Sequence, residues 1–282
     1  MTAVKQYEIT KKELITPNTY LMDIYAPRVA KKSLAGQFII LRATADGERI
    51  PLTTADVDRE KGLVTIIFQM VGYTTKLLGT FTVGDCLNDF VGPLGKPSEL
   101  DHIKKVICIG GGVGTAVVYP AVKQLYENGA HVDVIVGARS KEYVILEDEI
   151  KQNSTNLYIT TDDGSYGRKG FVTDQLKDLL DKSNDYDEVI AIGPMIMMKF
   201  VCQLTEKYNI KTMVSLNPVM VDGTGMCGGC RVTVGGEIKY ACIDGPDFDG
   251  HKVNFDELMK RQMTYTEEEK EHERRCGGIY HD

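Results

Sequence analysis

The chain has no hydrophobic run approaching the length of a bilayer span, and its first residues, Met1-Thr-Ala-Val-Lys-Gln-Tyr-Glu8, hold no apolar core of the kind a secretory signal needs. These two absences point to a protein of the reducing cytoplasm with no membrane partner. Basic charge is also in short supply. The 33 Lys and Arg against 40 Asp and Glu leave a formal net charge of −7, which argues against nucleic acid as a main partner. No internal repeat or low-complexity tract is present. Histidine offers no ligand set, because His251, His272 and His281 are isolated in polar surroundings. What remains is a globular composition, 43% hydrophobic and 26% charged, in 282 residues. That length accommodates two domains and a small third module.

Cysteine is sparse but clustered. Three of the seven fall within sixteen residues, in Asp222-Gly-Thr-Gly-Met-Cys227-Gly-Gly-Cys230 and Lys239-Tyr-Ala-Cys242-Ile. Two glycines between the first pair let both thiolates turn toward one centre. Arg231 to Tyr240 reads as a hairpin, with Val232 and Val234 alternating before a Gly235-Gly236 turn and Ile238 and Tyr240 after it. The hairpin carries Cys242 back to the other two. A fourth ligand is needed, and Asp222, five positions before Cys227, is the nearest upstream candidate. Zinc would accept three cysteines and an aspartate, although structural zinc sites mostly use cysteine and histidine. A disulfide would leave one thiol over. Iron–sulfur clusters are held by thiolates at comparably short spacings. Buried structural thiols are the bland alternative, and Asp222 would then be a turn residue of Asp-Gly. The stretch alone leaves the choice open. Cys86, Cys108, Cys202 and Cys276 lie apart and read as free thiols.

Residues 1–98 read as all-β. Tyr20–Tyr25, Phe38–Ala43 and Leu63–Met70 are short β-prone runs separated by Gly and Asp turns, a pattern of barrels and sandwiches. Arg49-Ile-Pro-Leu-Thr53 sets a cation and a hydroxyl four apart on an extended segment, a pair that could hold a pyrophosphate. It reads equally as an edge strand marked by its proline. Gly72-Tyr-Thr-Thr-Lys76 offers backbone amides and two hydroxyls to phosphate, or a plain helix N-terminus capped by Thr74 or Thr75.

A nucleotide signal follows. Lys105-Val-Ile-Cys-Ile-Gly110 is an apolar run of the kind buried in parallel sheets. It leads into Gly110-Gly-Gly-Val-Gly-Thr115 and a helical segment at Ala121–Glu127. Strand, glycine turn and helix together suggest a dinucleotide site with helix amides facing the pyrophosphate, although the glycines depart from G-x-G-x-x-G. The alternation continues with strands at His131–Val136, Leu157–Thr160, Glu188–Ile192 and Lys211–Leu216. Helices are expected at Phe171–Leu180, capped by Thr173, and at Met195–Tyr208. After the cysteine module, Phe255, Leu258, Met259 and Met263 share a helical face. Glu267–Arg275 then reads as a solvated helix.

A barrel with Arg-x-Pro-x-Thr, a nucleotide domain with Gly-Gly-Gly-Val-Gly-Thr-Ala and a three-cysteine loop resemble the ferredoxin–NADP reductase superfamily over almost the whole chain. More narrowly, Ser215-Leu-Asn-Pro218, Asp222-x₄-Cys227-x₂-Cys230-x₁₁-Cys242 and Phe255-Asp-Glu-Leu-Met-Lys-Arg-Gln262 are similar to one branch. It holds the electron-transfer subunit of dihydroorotate dehydrogenase and the small subunits of sulfide dehydrogenase and NADH-dependent ferredoxin:NADP oxidoreductase. In the dihydroorotate branch the first cluster ligand is a cysteine. Asp222 in that place resembles the ferredoxin:NADP oxidoreductase small (alpha) subunits, where an aspartate and three cysteines hold a [2Fe–2S] cluster. Many relatives carry Cys-Gly-Pro near the nicotinamide, and this chain has Ile192-Gly-Pro.

The resemblance implies an antiparallel FAD barrel over 1–98, an α/β Rossmann-like parallel-sheet NAD domain over 99–216, a [2Fe–2S] module over 217–250 and a helical tail over 251–282. It implies FAD along Arg49, Pro51, Leu52 and Thr53, with Gly72, Thr74 and Thr75 completing a pyrophosphate cradle. NAD(H) would dock across Gly111, Gly112, Val113, Gly114 and Thr115, across Asp162, Asp163, Gly164 and Ser165, and across Gly193, Pro194 and Met195. Arg139, Ser140 and Lys141 stand where an NADP 2′-phosphate could sit, yet the resemblance points to NAD. The cluster ligands would be Asp222, Cys227, Cys230 and Cys242. The activity implied is hydride exchange between NAD(H) and FAD and single-electron exchange with the cluster, with no catalytic acid or base. The chain would serve as one subunit of a flavin-based electron-bifurcating heterodimer. Its larger partner would carry flavin and clusters of its own and deal with ferredoxin and NADP(H). The alternatives are a dihydroorotate or sulfide dehydrogenase subunit and, from another class, a nucleotide-binding regulator with structural zinc.

Overall fold

The β-prone runs of residues 9–94 close on one another as two antiparallel sheets in the computed structural model of the chain, which describes residues 4–276. In order they are β1 (Ile9–Thr16), β2 (Thr19–Tyr25), the single-turn α1 (Pro27–Ala30), β3 (Phe38–Arg42), β4 (Arg49–Thr53), β5 (Asp56–Asp58), β6 (Leu63–Gln69), α2 (Tyr73–Thr80) and β7 (Asp89–Leu94). One sheet has the order β1-β2-β6-β5 and the other β4-β3-β7. Strand alternation turns Met22, Ile24, Ile66 and Phe68 of the first toward Ile39 and Leu41 of the second, with Leu78 of α2 closing the end. Each such side chain contributes about 1.5–3 kcal/mol by leaving water.

The second half alternates strand and helix: β8 (Lys105–Gly111), α3 (Gly114–Glu127), β9 (His131–Ala138), α4 (Glu147–Gln152), β10 (Asn156–Thr161), β11 (Arg168–Lys169), α5 (Val172–Lys182), β12 (Glu188–Ile192), α6 (Met195–Glu206) and β13 (Thr212–Ser215). The sheet order β11-β10-β9-β8-β12-β13 is parallel throughout. The chain winds outward from β8 through β9 and β10, then returns to the other side with β12. The reversal places a topological switch point at the carboxyl ends of β8 and β12, where such sheets bind ligands. Two local expectations change. Helix α3 begins at Gly114 and runs through Pro120 instead of starting at Ala121. Helix α5 is capped not by Thr173 but by Asp174, whose carboxylate accepts from the Phe171 amide at 2.9 Å.

The last segment comprises β14 (Arg231–Val234), β15 (Glu237–Tyr240), the single-turn α7 (Ala241–Asp244), β16 (Asp247–Asp249), α8 (Phe255–Gln262) and α9 (Thr266–Cys276). Strands β14 and β15 form the expected hairpin. Gly235 (φ 61) and Gly236 (φ 81) both occupy the left-handed region that its two-residue turn demands. Val232 packs inside, but Ile238 is 63% exposed, so the apolar alternation holds on one strand only. Strand β16 pairs antiparallel with β13 and becomes the edge of the nucleotide sheet. Phe255 and Leu258 of α8 are buried, whereas Met263 lies past the helix end and is 66% exposed. Among the described residues no helix is long and apolar enough to cross a membrane.

Candidate functional site

The barrel and the nucleotide sheet face each other across a cleft of about 830 Å³. They are held together beside it by a small apolar cluster of Ala55 and Ile67 from the barrel with Ala116 and Ile145 from the sheet's helical side. A Lys123–Asp56 ion pair at 3.1 Å adds to this contact. Glycine makes the floor possible. A Cβ at Gly114 would lie 2.8 Å from both the Ile192 carbonyl carbon and Gly193 Cα, so α3 can start against β12 only without a side chain there.

Of the residues expected at the two nucleotides, Pro51, Leu52 and Thr53 line the cleft from β4. Gly111, Gly112, Val113, Gly114, Asp162, Gly193 and Pro194 line it from the sheet. The others stand outside the lining. Thr115 is fully buried and its Oγ1 has no hydrogen-bond partner among the described residues. Met195 is buried in the core. Asp163, Gly164 and Ser165 form a turn behind the wall, in which Asp163 accepts from the Ser165 amide and Ser165 Oγ accepts from the Lys141 amide, both at 2.9 Å. At the α2 terminus Gly72 is the N-cap, and Thr75 Oγ1 accepts from the Val71 and Gly72 amides at 3.1 Å. Thr74 is buried and donates to Glu48 at 3.1 Å, so it does not cap. Arg49 does not line the cleft; its Nε donates to the Val221 carbonyl at 3.1 Å.

Several lining residues were not singled out in the sequence. Thr16, Thr19 and Gln69 come from β1, β2 and β6, and Phe171 and Phe200 stand at the rim, 66% and 52% exposed. No local motif marks them. Ser215, Leu216 and Asn217 also line the cleft, and their Ser-Leu-Asn-Pro string was the available signal. Behind this wall Asp247 on β16 accepts from Ser98 Oγ at 2.5 Å, and its Oδ1 is sealed without a partner among the described residues. Burial raises its pKa, opposed by hydrogen bonds from Ser98 and Ser215 and reinforced by the charge of Glu188.

The cluster candidates fall into two pairs. Asp222 Oδ1 accepts from Cys227 Sγ at 3.5 Å, and Cys230 Sγ lies 3.2 Å from Cys242 Sγ. Among the described residues no three His, Cys, Asp or Glu side chains converge on one point. A single tetrahedral ion needs its donors around one centre, with edges near 3.8 Å for bonds of about 2.3 Å. The two close pairs together supply four donors, the number that a [2Fe–2S] cluster takes. Cys230 and Cys242 are buried, while Cys227 is exposed. Burial, and then the bond to Cys230, push the Cys242 thiol up to about 12. The Asp222 carboxyl is held below its usual range, chiefly by the Thr224 amide at 3.0 Å and further by Cys227. The donor set therefore contains one ready anion and a buried thiol pair that must lose protons to bind metal. Cys86, Cys108 and Cys202 are free thiols, as expected, and the side chain of Cys276 and all of His281 lie outside the described residues.

An antiparallel FAD-type barrel, a parallel nucleotide sheet and a C-terminal cysteine loop define a ferredoxin–NADP reductase-like oxidoreductase. Residues 108–203 match the family described as the oxidoreductase NAD-binding domain, and residues 217–254 match the iron-sulfur cluster binding domain of dihydroorotate dehydrogenase B. The "dihydroorotate dehydrogenase B (NAD(+)), electron transfer subunit homolog" of Thermotoga maritima is 48% identical over 263 residues, 93% of each chain. An uncharacterized protein in the adh 3′ region of Clostridium beijerinckii is 56% identical over 271 residues, covering 93% of this chain and 92% of that one. A solved structure of an NADH-dependent reduced ferredoxin-NADP oxidoreductase, concerned with flavin-based electron bifurcation, superposes with TM-score 0.93. It is 46% identical and covers 98% of this chain and 99% of its own. The chain belongs to the family of dihydroorotate dehydrogenase B electron-transfer subunits and their homologues. It is an oxidoreductase subunit with NAD-binding and iron–sulfur domains, and the kinship with ferredoxin:NADP oxidoreductase expected from the sequence holds.

Proposed function

We propose that the chain is the NAD(H)-oxidising or NAD⁺-reducing small subunit of a flavin-based electron-bifurcating ferredoxin:NADP oxidoreductase, working in the cytoplasm beside a larger flavin and iron–sulfur subunit. The observation that carries this reading is the superposition at 46% identity over nearly the whole of both chains. Asp222, where the dihydroorotate branch has cysteine, supports it. FAD, when bound, supplies the conversion between two-electron hydride chemistry and one-electron transfer.

The chain's own residues bind and orient. Residues 1–98 hold FAD, with Pro51, Leu52 and Thr53 along the flavin and the α2 terminus at Gly72 toward the diphosphate. Residues 99–216 hold NAD(H), with Gly111–Gly114 under its pyrophosphate, Asp162 toward one end and Gly193-Pro194 toward the nicotinamide. In 217–250, Asp222, Cys227, Cys230 and Cys242 would hold the [2Fe–2S] cluster, which would supply one-electron transfer. The tail from 251 packs the module down through Phe255 and Leu258. No side chain in the cleft needs to act as an acid or base, because positioning the two rings is the work the protein has to do.

The test is anaerobic purification of the chain with its partner from the native source. Flavin and cluster absorption, NADH-dependent reduction of an artificial acceptor and a partner reacting with ferredoxin and NADPH support the proposal. A partner that oxidises dihydroorotate in an NAD⁺-dependent manner would instead establish the second reading, which the names of several relatives favour.

A further inference from the structure

Strand β4 serves two places at once. Pro51, Leu52 and Thr53 at its end line the cleft, whereas Arg49 at its start donates Nε–H to the Val221 carbonyl, 3.1 Å away. About 7 Å of extended chain separates Arg49 from Pro51. Val221 immediately precedes Asp222, and a peptide unit is planar. The Val221 oxygen and Asp222 Cα therefore belong to one rigid plate, and holding the oxygen holds the root of the Asp222 side chain. Beyond Asp222, Gly223 is seated on the same barrel sheet. A Cβ there would lie 2.6 Å from Ile40 Cδ1 and 2.8 Å from Leu94 Cδ1. Two barrel anchors thus bracket Asp222. Cys230 and Cys242 are buried in a core that Phe38 and Ile40 of the barrel share with Val214 and Leu216 of the nucleotide sheet. The other cation at this end of the sheet, Arg42, is committed to Asp89 at 2.7 Å and to the Ala45 carbonyl at 2.9 Å, so Arg49 alone of the two reaches the loop.

We propose that Arg49 is a positioning residue of the cluster centre, tying the Asp222 arm to the strand that lines the flavin cleft. The carboxylate ligand is registered to the barrel sheet, while the buried thiol pair sits in the core that barrel and nucleotide sheet share. The donor geometry then depends on how the two domains sit against each other. This rests on the reading of Asp222, Cys227, Cys230 and Cys242 as [2Fe–2S] ligands.

The experiment compares Arg49→Gln and Arg49→Lys with the parent as full-length chains purified anaerobically with FAD. Loss of one charge-assisted hydrogen bond predicts iron release to a chelator roughly tenfold faster in Arg49→Gln. An altered electron paramagnetic resonance signal and parental FAD occupancy are expected with it. Arg49→Lys keeps the charge without the planar fork and should fall between, about threefold faster. Amide hydrogen exchange should rise over residues 221–228 and not over 72–80. Parental iron release, signal and exchange in whichever of the two variants folds overturns the proposal. Loss of FAD with a parental cluster signal also overturns it, because the guanidinium then serves the flavin phosphate. The exchange measurement needs no iron. A parent chain without iron and sulfide would therefore remove the cluster reading, while exchange at 221–228 would still decide whether Arg49 clamps the arm.

Discussion

Gly114→Ala is the sharpest test of the nucleotide floor. The added methyl would lie 2.8 Å from the Ile192 carbonyl carbon and from Gly193 Cα, and closer still to the Ile192 oxygen. These are backbone atoms, which cannot turn aside as a side chain does, so the start of α3 and the end of β12 must separate by roughly an ångström. Overpacking of this kind costs about 1–3 kcal/mol, and the upper end applies to a clash with backbone. Alanine in place of helical glycine returns about 1 kcal/mol. The net loss is about 2 kcal/mol, or a Tm lower by about 4–8 °C for a chain of this size. Both displaced segments line the cleft, so nucleotide binding suffers too. One weakened charge-assisted amide contact to phosphate corresponds to roughly tenfold in affinity. The assay is thermal unfolding of the FAD-loaded chain followed by NADH titration of flavin bleaching. An unchanged Tm with parental NADH affinity would refute the placement of Gly114 as the wedge between α3 and β12.

Three further outcomes are expected. Asp222→Cys should keep a [2Fe–2S] cluster with a shifted potential and paramagnetic signal, because a thiolate is a softer ligand than a carboxylate. Asp222→Ala should leave a labile cluster. Iron content, potential and signal matching the parent in both variants would return Asp222 to a turn role. NADH should support reduction of an artificial acceptor much better than NADPH. A clear NADPH preference would instead assign a 2′-phosphate to Arg139, which lines the cleft. Asp247 has a folded pKa raised above its unfolded value, so its contribution to stability is complete below about pH 4 and is lost as pH rises through the folded value. Asp247→Asn should therefore gain stability relative to the parent as pH rises above about 4. Urea midpoints that move in parallel with pH in both proteins would exclude this.

The sequence alone determined what depends on neighbours within a few residues. The apolar run of β8 and the glycines after it specify a buried strand and a tight entry to a helix, because one backbone segment carries both signals. The Gly235-Gly236 turn and the clustering of Asp222, Cys227, Cys230 and Cys242 were legible for the same reason. Local reading failed where two nearby groups competed for one cap: Asp174 rather than Thr173 satisfies the Phe171 amide, whereas at α2 the choice between Thr74 and Thr75 falls to Thr75 because Thr74 turns to Glu48. Tertiary structure alone decided how the ligand candidates pair, that β16 completes the nucleotide sheet, and that Thr16, Thr19 and Gln69 share a cleft with Phe200. It also decided the partner of Arg49, whose hydrogen bond spans 172 residues of sequence. Such contacts follow from how whole sheets dock on one another, and no periodicity or spacing within a single segment encodes that docking.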